Sequence, residues 1–456
     1  MGRPFFSVVI PTKNRSFLVG LAVQSVLRQS FEDFEIVIAD NDDSDATRAV
    51  IGAFQDARIR YYRTGGLSMP DNWDFAASKA QGEYIAILED KQVFREGALE
   101  RIYHEVERTR YPVVGWLYDR FYDTQQPPKI VAAGGTGNVE LVPARGILER
   151  FIQQGRGGEF DRLFPRGLNS CIHRALAGRI RSGPAGRLCL PQAPDYTLGF
   201  LQLAYCDSIL HIDEALVVVG GYRYSAGRTA KVDRGKALRY FQGSDVDEAR
   251  FYERVPVKAI TISGSLYNDY ETVRALVGGN LADFPFDLHT YFVQCFKDIQ
   301  ASQKMGADVS TEMAAWEHGL SGQEPSLQAS VYRVLLSDAI EANVSLSSEL
   351  ESVRTSRDKW KKSAKAMEQK YSLLEKGYNY IKRSSIAYWV LAIIDSPRIK
   401  FEISPELESS LREVEAPIPH DVPPGIESSS TSTDAPVPYS NALEYIEEAK
   451  STRQNE

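Results

Sequence analysis

Cysteine is scarce: Cys171, Cys189, Cys206 and Cys295 form no C-x-x-C pair and have no histidine cluster beside them. That spacing argues against a disulfide framework and a cysteine-ligated zinc site, and predicts buried thiols in a reducing compartment. Long apolar runs are missing too. The longest, residues 387–394, is less than half of the roughly 18 residues a membrane-spanning helix needs. The amino terminus enters a strand pattern with no signal-peptide signature, so a cytoplasmic chain is expected, at most peripheral at the inner face of a membrane. Basic charge is in deficit: 53 Lys and Arg stand against 61 Asp and Glu, a formal net charge of −8. A general affinity for nucleic acid needs a basic footprint and is not expected. The loop after the first strand pattern, residues 11–15, has no glycine, whereas a dinucleotide fold needs G-x-G-x-x-G there.

What is present is an ordinary globular composition, 43% hydrophobic and 25% charged, over 456 residues, enough for two or three domains. Residues 5–118 alternate strand and helix signals. Residues 5–10 form a β-branched run stopped by Pro11, and residues 34–39, 59–62 and 84–88 read as further strands. Between them, residues 15–29 carry apolar side chains at helical spacing, Asp45 is placed to cap a helix running to Phe54, and residues 72–80 form a third helix ended by Gly82. Repeated β-α-β units predict an α/β fold, a mostly parallel sheet with helices on both faces. Ligands of such sheets bind outside the carboxyl ends of the strands, so the loops after residues 10, 39, 62 and 88 should meet at one cleft.

Two strand ends carry polar clusters: Val9-Ile-Pro-Thr12, followed by Asn14 and Arg15, and Ile38-Ala-Asp40, followed by Asn41, Asp42, Asp43 and Asp45. Downstream, Asn72 precedes Ala80-Gln-Gly-Glu-Tyr-Ile85, and the fourth strand ends in Glu89-Asp90-Lys91. With these residues the first half, about residues 5–230, resembles the large family of inverting glycosyltransferases with the GT-A fold, which open with V-V-I-P-x-x-N-R and follow their second strand with an acidic cluster. The resemblance implies a nucleotide-sugar donor, a UDP-sugar first, and a glycan acceptor. It implies nucleotide contacts from Pro11, Thr12, Asn14, Arg15, Asp40, Asn72 and Lys91. A carboxylate such as Asp40 can accept the uracil N3–H or a ribose hydroxyl. Asp42, Asp43 and Asp45 read rather as loop solvation and capping, and Asn72 equally as a helix cap.

The family's fourth strand ends in D-x-D, whose acids hold Mn²⁺ or Mg²⁺ against the leaving diphosphate. Here Glu89 and Asp90 are the candidate ligands, and Lys91 stands where the last acid belongs. Either the acids bind the divalent cation in a shifted register, or Lys91 supplies the positive charge itself. Pro194-Asp195-Tyr196 matches the position where the family places its general base, although Asp195 could simply cap the following helix. His173, Arg174 and Arg223 are candidates for the acceptor or phosphate side, with a structural role as the alternative for His173. A processive synthase is not expected, since membrane helices and Q-x-x-R-W are both missing. The competing non-enzyme reading is a degenerate transferase domain acting as an oligomeric scaffold.

The expected organisation is a GT-A domain over residues 1–232, a helical region over 233–340, a coiled coil or long amphipathic helix over 341–385, and a largely disordered tail over 396–456. Apolar positions recur at steps of four and three through 346–381, which predicts a homo-oligomer joined by that segment. The basic-then-apolar stretch 382–394 suggests a peripheral membrane contact.

Overall fold

The computed structural model describes residues 2–125, 127–191, 193–224, 247–335 and 337–338. The expected coiled coil, oligomer contact, membrane-facing stretch and tail lie outside the described residues, as does the side chain of Arg223. Met1–Leu346 form one compact unit, and Ser347–Glu456 a second that lies outside the described residues.

The first four strands are β1 (Phe6–Thr12), β2 (Phe34–Asp40), β3 (Ile59–Arg63) and β4 (Tyr84–Ile87). They pair in parallel in the order β3-β2-β1-β4, linked by helices α1 (Ser16–Leu27), α2 (Ala46–Gly52) and α3 (Met69–Ser78). The chain then adds β5 (Gln92–Phe94), α4 (Ala98–Thr109), β6 (Val113–Tyr122), β7 (Lys129–Val131), β8 (Val139–Pro143), α5 (Ala144–Gln154) and α6 (Gly158–Leu163). β9 (Ser170–His173), α7 (Arg174–Ser182), α8 (Pro194–Tyr205) and β10 (Ser208–Val219) follow. The sheet continues from β4 as β9-β6-β10-β5, with β7 on β6 and β8 on β10. β9 is antiparallel to both β4 and β6, so the sheet is mixed, parallel through β3-β2-β1-β4.

Period-two alternation splits the strand side chains between two cores. Phe6, Val8 and Ile10 of β1, Ile36 and Ile38 of β2, and Tyr84 and Ala86 of β4 join Val19, Val23, Leu99 and Ile102 of α1 and α4. Val9, Val37, Ile85 and Ile87 face the other way, onto α3, α5 and α8. Helices α9 (Ile262–Val277), α10 (Leu288–Lys304) and α11 (Ser310–Ser321) complete this second core through Tyr267, Tyr291 and Trp316.

Two element ends differ from the sequence expectation. β1 runs through Pro11 to Thr12 rather than stopping. Pairing with β4 ends at Val9, whose carbonyl accepts the Leu88 N–H (2.9 Å), and Thr12 turns its carbonyl to Asn41 of the β2 side (3.0 Å). By alternation Pro11 faces the β4 side, past the end of that ladder, where no N–H is required. Helix α3 begins at Met69 rather than Asn72. Its cap is Ser68, whose hydroxyl accepts the Asp71 N–H (3.3 Å), with Pro70 in the first turn. Asn72 therefore lies inside the helix. All four cysteines are free and buried, and burial pushes the thiols of Cys206 and Cys295 up to about 12.

The amino end of the parallel strands is tied by a buried polar cluster. Ser7 donates to Glu35, accepts from the Gly82 N–H (2.7 Å), and Glu35 pairs with Arg60 (2.6 Å). Gly82 sits so close that a Cβ would lie 2.5 Å from the Ser7 nitrogen. Gly82→Ala is expected to cost about 2–3 kcal/mol by forcing β1 away. Equilibrium urea unfolding reads this, and an unchanged midpoint would contradict the packing argument.

His211, buried in β10, has no hydrogen-bond partner on either ring nitrogen among the described residues. Burial lowers its pKa from 6.5 to about 4, opposed by Asp213, itself paired with Arg162. A lowered pKa means stability that is complete above pH 6.5 and lost as pH falls through 4. Between pH 7 and 5 this linkage amounts to about 2 kcal/mol. His211→Leu should lose correspondingly less stability over that interval in urea titrations at the two pH values.

Candidate functional site

The strand order reverses at β1, which lies between β2 and β4, and the loops beyond these strand ends form the ligand-binding crevice of such sheets. Here the predicted loops do converge. Thr12 donates its hydroxyl to Asp90 Oδ2 (2.8 Å), and Arg15 Nη1 donates to Asp90 Oδ1 (2.9 Å). The second arm of Arg15 reaches the Tyr224 carbonyl (2.7 Å), in the turn after β10. Asn14, at φ +54°, donates its amide to Asp43 (2.7 Å) and its backbone N–H to Asp42, which fastens the β1 loop onto the β2 loop. Left-handed backbone is a conformation that Asn tolerates better than most residues.

Asp40 is fully buried. Its Oδ1 accepts the Asp42 N–H (2.8 Å), and its Oδ2 accepts the Tyr61 hydroxyl and Arg63 (3.2 Å). Burial raises its pKa against the lowering effect of those bonds, and pushes the Tyr61 phenol up to about 12. The carboxylate thus shapes the β2 loop, and a nucleotide reaching it would displace Tyr61 or Arg63. Asp45 makes no side-chain cap to α2 and pairs with Arg63 instead (3.3 Å). Asn72 spans two strand ends, donating to the Ala39 carbonyl (3.1 Å) and accepting from Thr64 (2.8 Å). It is 3% exposed, and its amide supports the loop.

Lys91 Nζ lies 3.1 Å from Glu89 Oε1. Its carbonyl accepts the Gly220 N–H (3.0 Å), so the turn after β10 rests on it. The residues available for Mn²⁺ or Mg²⁺ do not fit that role as they stand. Both Asp90 oxygens are committed, Asp90 is 1% exposed, and Glu89 already faces an ammonium. Among the described residues no group of three or more His, Cys, Asp or Glu forms a candidate cation site.

Asp195 stands in the first turn of α8, at the same end of the sheet. The segment before β9 links the two: the Asp195 carbonyl accepts the Gly167 N–H (2.9 Å), and the Leu168 carbonyl accepts Gln92 of the β4–β5 turn (3.2 Å). Gln92 in turn accepts the Glu89 N–H (2.9 Å). Arg166 grips Asp195 by two N–H groups on Oδ2, one at 2.9 Å from Nε, and its guanidinium covers the Tyr196 ring (4.5 Å). Asp195 makes no side-chain cap bond to the helix. Beneath it, Asp269 of α9 accepts the Ala193 N–H (3.0 Å), and burial, with the Asp195 charge, holds its carboxyl well above the usual range. Neither Arg166 nor Asp269 carries a local sequence signal, because both act from segments brought in by the fold.

His173 and Arg174 are not part of this cluster. β9 runs antiparallel to β4, so His173 pairs with Tyr84 at the opposite, amino end of that strand. His173 accepts the Ala175 N–H (3.2 Å) as the cap of α7, and Arg174 donates to the Gln81 carbonyl (2.9 Å). Both roles are structural.

Residues 7–159, which hold the β1, β2 and β4 loops, match the model of glycosyl transferase family 2. This segment belongs to that family. The GalNAc(5)-diNAcBac-PP-undecaprenol beta-1,3-glucosyltransferase of Campylobacter jejuni is 33% identical over 103 residues, 22% of this chain and 33% of that protein. The UDP-Glc:alpha-D-GlcNAc-diphosphoundecaprenol beta-1,3-glucosyltransferase WfgD of Escherichia coli is 29% identical over 98 residues, 21% of this chain and 38% of that protein. The chain thus covers little more than a third of the length of these relatives. The structure of residues 1–349 of S. aureus TarS with UDP-GlcNAc aligns over 70% of this chain and 93% of that one, at 14% identity and a TM-score of 0.41. The amino-terminal domain that holds the matched segment is GT-A-like, a mixed sheet flanked by helices, followed by helices α9–α11. Among the described residues no helix is long and apolar enough to cross a membrane.

Removing Asp90 separates its structural role from a metal-ligand role. Asp90→Ala takes the carboxylate counter-charge from the buried Arg15 guanidinium and is expected to cost about 3 kcal/mol. Thermal unfolding in EDTA measures this. A variant as stable as the parent would mean that Asp90 is spare in the absence of a cation.

Proposed function

We propose that this chain transfers a sugar from a nucleoside-diphosphate sugar, a UDP-sugar, to a hydroxyl of a glycan acceptor with inversion at the anomeric carbon. The observation that carries the reading is the meeting of the β1, β2 and β4 loops of the family 2 segment with Asp195, buttressed by Arg166 and Asp269. Asp195 is the general base. Both Arg166 bonds fall on Oδ2, which fixes the direction of the carboxylate while Oδ1 is left to take the acceptor proton. The acceptor oxygen attacks the anomeric carbon as the bond from that carbon to the β-phosphate oxygen breaks. The nucleoside diphosphate leaves on the side opposite the base. A positioned base contributes on the order of 10²–10⁴-fold.

Thr12, Asn14, the Asp40–Asp45 loop and Lys91 are the nucleotide side in this reading. The names of two relatives support an acceptor glycan carried on undecaprenyl diphosphate, and hence work at the cytoplasmic face of a membrane.

The test uses UDP-glucose as donor and GlcNAc-diphosphoundecaprenol as acceptor, with UDP release as the readout and calorimetric UDP binding alongside. Asp195→Asn is expected to lose at least about 100-fold in kcat while binding UDP like the parent. Transfer by this variant at the parental rate would remove Asp195 as the base. Failure of the parent to bind UDP, GDP or dTDP would instead support a non-catalytic scaffold.

A further inference from the structure

We propose that the leaving diphosphate is neutralised by the ammonium of Lys91, with no divalent cation seated on Glu89 and Asp90; this rests on the transferase reading above. Asp90 is the better placed acid for a cation, and it is saturated. Its two oxygens take the Thr12 hydroxyl and the Arg15 guanidinium, and the pair is 8% and 1% exposed on its Arg and Asp sides. A cation bound there would drive off Arg15, whose other arm is held by the Tyr224 carbonyl (2.7 Å). The displaced guanidinium would then face a like charge in a site that excludes water, which costs far more than at a surface.

Lys91 is differently placed. Its ammonium has a single described ion-pair partner, Glu89 (3.1 Å), and the pair is partly exposed, at 12% and 15%, where Asp90 is 1% exposed. The ammonium can therefore exchange a carboxylate oxygen for a phosphate oxygen at small cost, as a compact charge with three donors. The backbone beneath it is fixed. Gly220 donates to the Lys91 carbonyl (3.0 Å), and Gly221, at φ +62°, lies so close that a Cβ would come within 2.8 Å of the Lys91 Cβ. Glycine at 221 thus satisfies both the left-handed backbone and the close approach to the lysine stem. When the anomeric carbon–oxygen bond breaks, its electron pair passes to the β-phosphate oxygen and the diphosphate gains one negative charge. Lys91 meets that charge while staying protonated, and the only proton that moves is the acceptor's, to Asp195.

The test is calorimetric UDP binding to the full chain, in Mn²⁺ and in EDTA. The parent should bind within about twofold of the same affinity in both. Lys91→Gln should weaken binding by about tenfold or more in both. Lys91→Asp, which restores an acid at the third position, should bind weakly in EDTA and recover in Mn²⁺. Parental binding that is lost in EDTA and returns with Mn²⁺ would overturn the inference and leave the transferase reading standing. So would a Lys91→Gln variant that binds UDP like the parent. If the parent binds none of UDP, GDP and dTDP in either buffer, the transferase reading fails and this inference with it.

Discussion

The buried ion pair between Arg15 and Asp90 joins three segments far apart in the chain: the loop after β1, the end of β4 and the turn after β10. Burying two charges is unfavourable unless each is fully met, and here each is. Asp90 has Thr12 as well as Arg15, and Arg15 has the Tyr224 carbonyl as well as Asp90. Everything else at the carboxyl end hangs from this clasp. It sets the height of the β1 loop, which Asn14 then fastens to the acids after β2. It also fixes the turn from which Lys91 projects. The same bonds occupy both carboxylate oxygens of Asp90.

A second support comes from a region with no motif of its own. Helix α9 belongs to the same hydrophobic core as α5 and α8, and it delivers Asp269 under the first turn of α8. The helices beyond the family 2 segment thus hold the backbone that carries Asp195, the proposed base. Arg166 does the same from the segment that precedes β9.

Most of the parallel half of the fold was legible in the sequence, because β1, β2 and β4 are buried on both faces and so read as near-continuous apolar runs. The meeting of the loops followed from that topology. The departures have local physical causes. Pro11 reads in the sequence as a strand end, but the pairing with β4 already stops at Val9, so its missing N–H costs nothing. Asn72 reads in the sequence as a nucleotide contact or a helix cap, but Ser68 and Pro70 start the helix earlier, and the Asn72 side chain braces two strand ends. His173 and Arg174 were assigned to the site because they follow a strand. The antiparallel direction of β9, set by pairing distant in sequence, carries them to the far end. Arg166 and Asp269 were invisible for the same reason, since nothing near them in the chain marks their partner.

The cluster of Ser7, Glu35, Arg60 and Gly82 closes the amino end of the strands so tightly that not even a methyl group fits at Gly82. The carboxyl end is built from loops tied by side chains such as Arg15, Asp90 and Asn14 and by backbone bonds such as Gly220 to Lys91, and its tight glycine at 221 meets the Lys91 side chain where Gly82 meets backbone. The two ends therefore differ in evolvability. Loop residues can be exchanged at one rim while the other holds the register of β1, β2 and β4. A scaffold of this kind suits redesign of specificity by loop grafting, provided that Arg15, Asp90 and the glycine at position 82 travel unchanged.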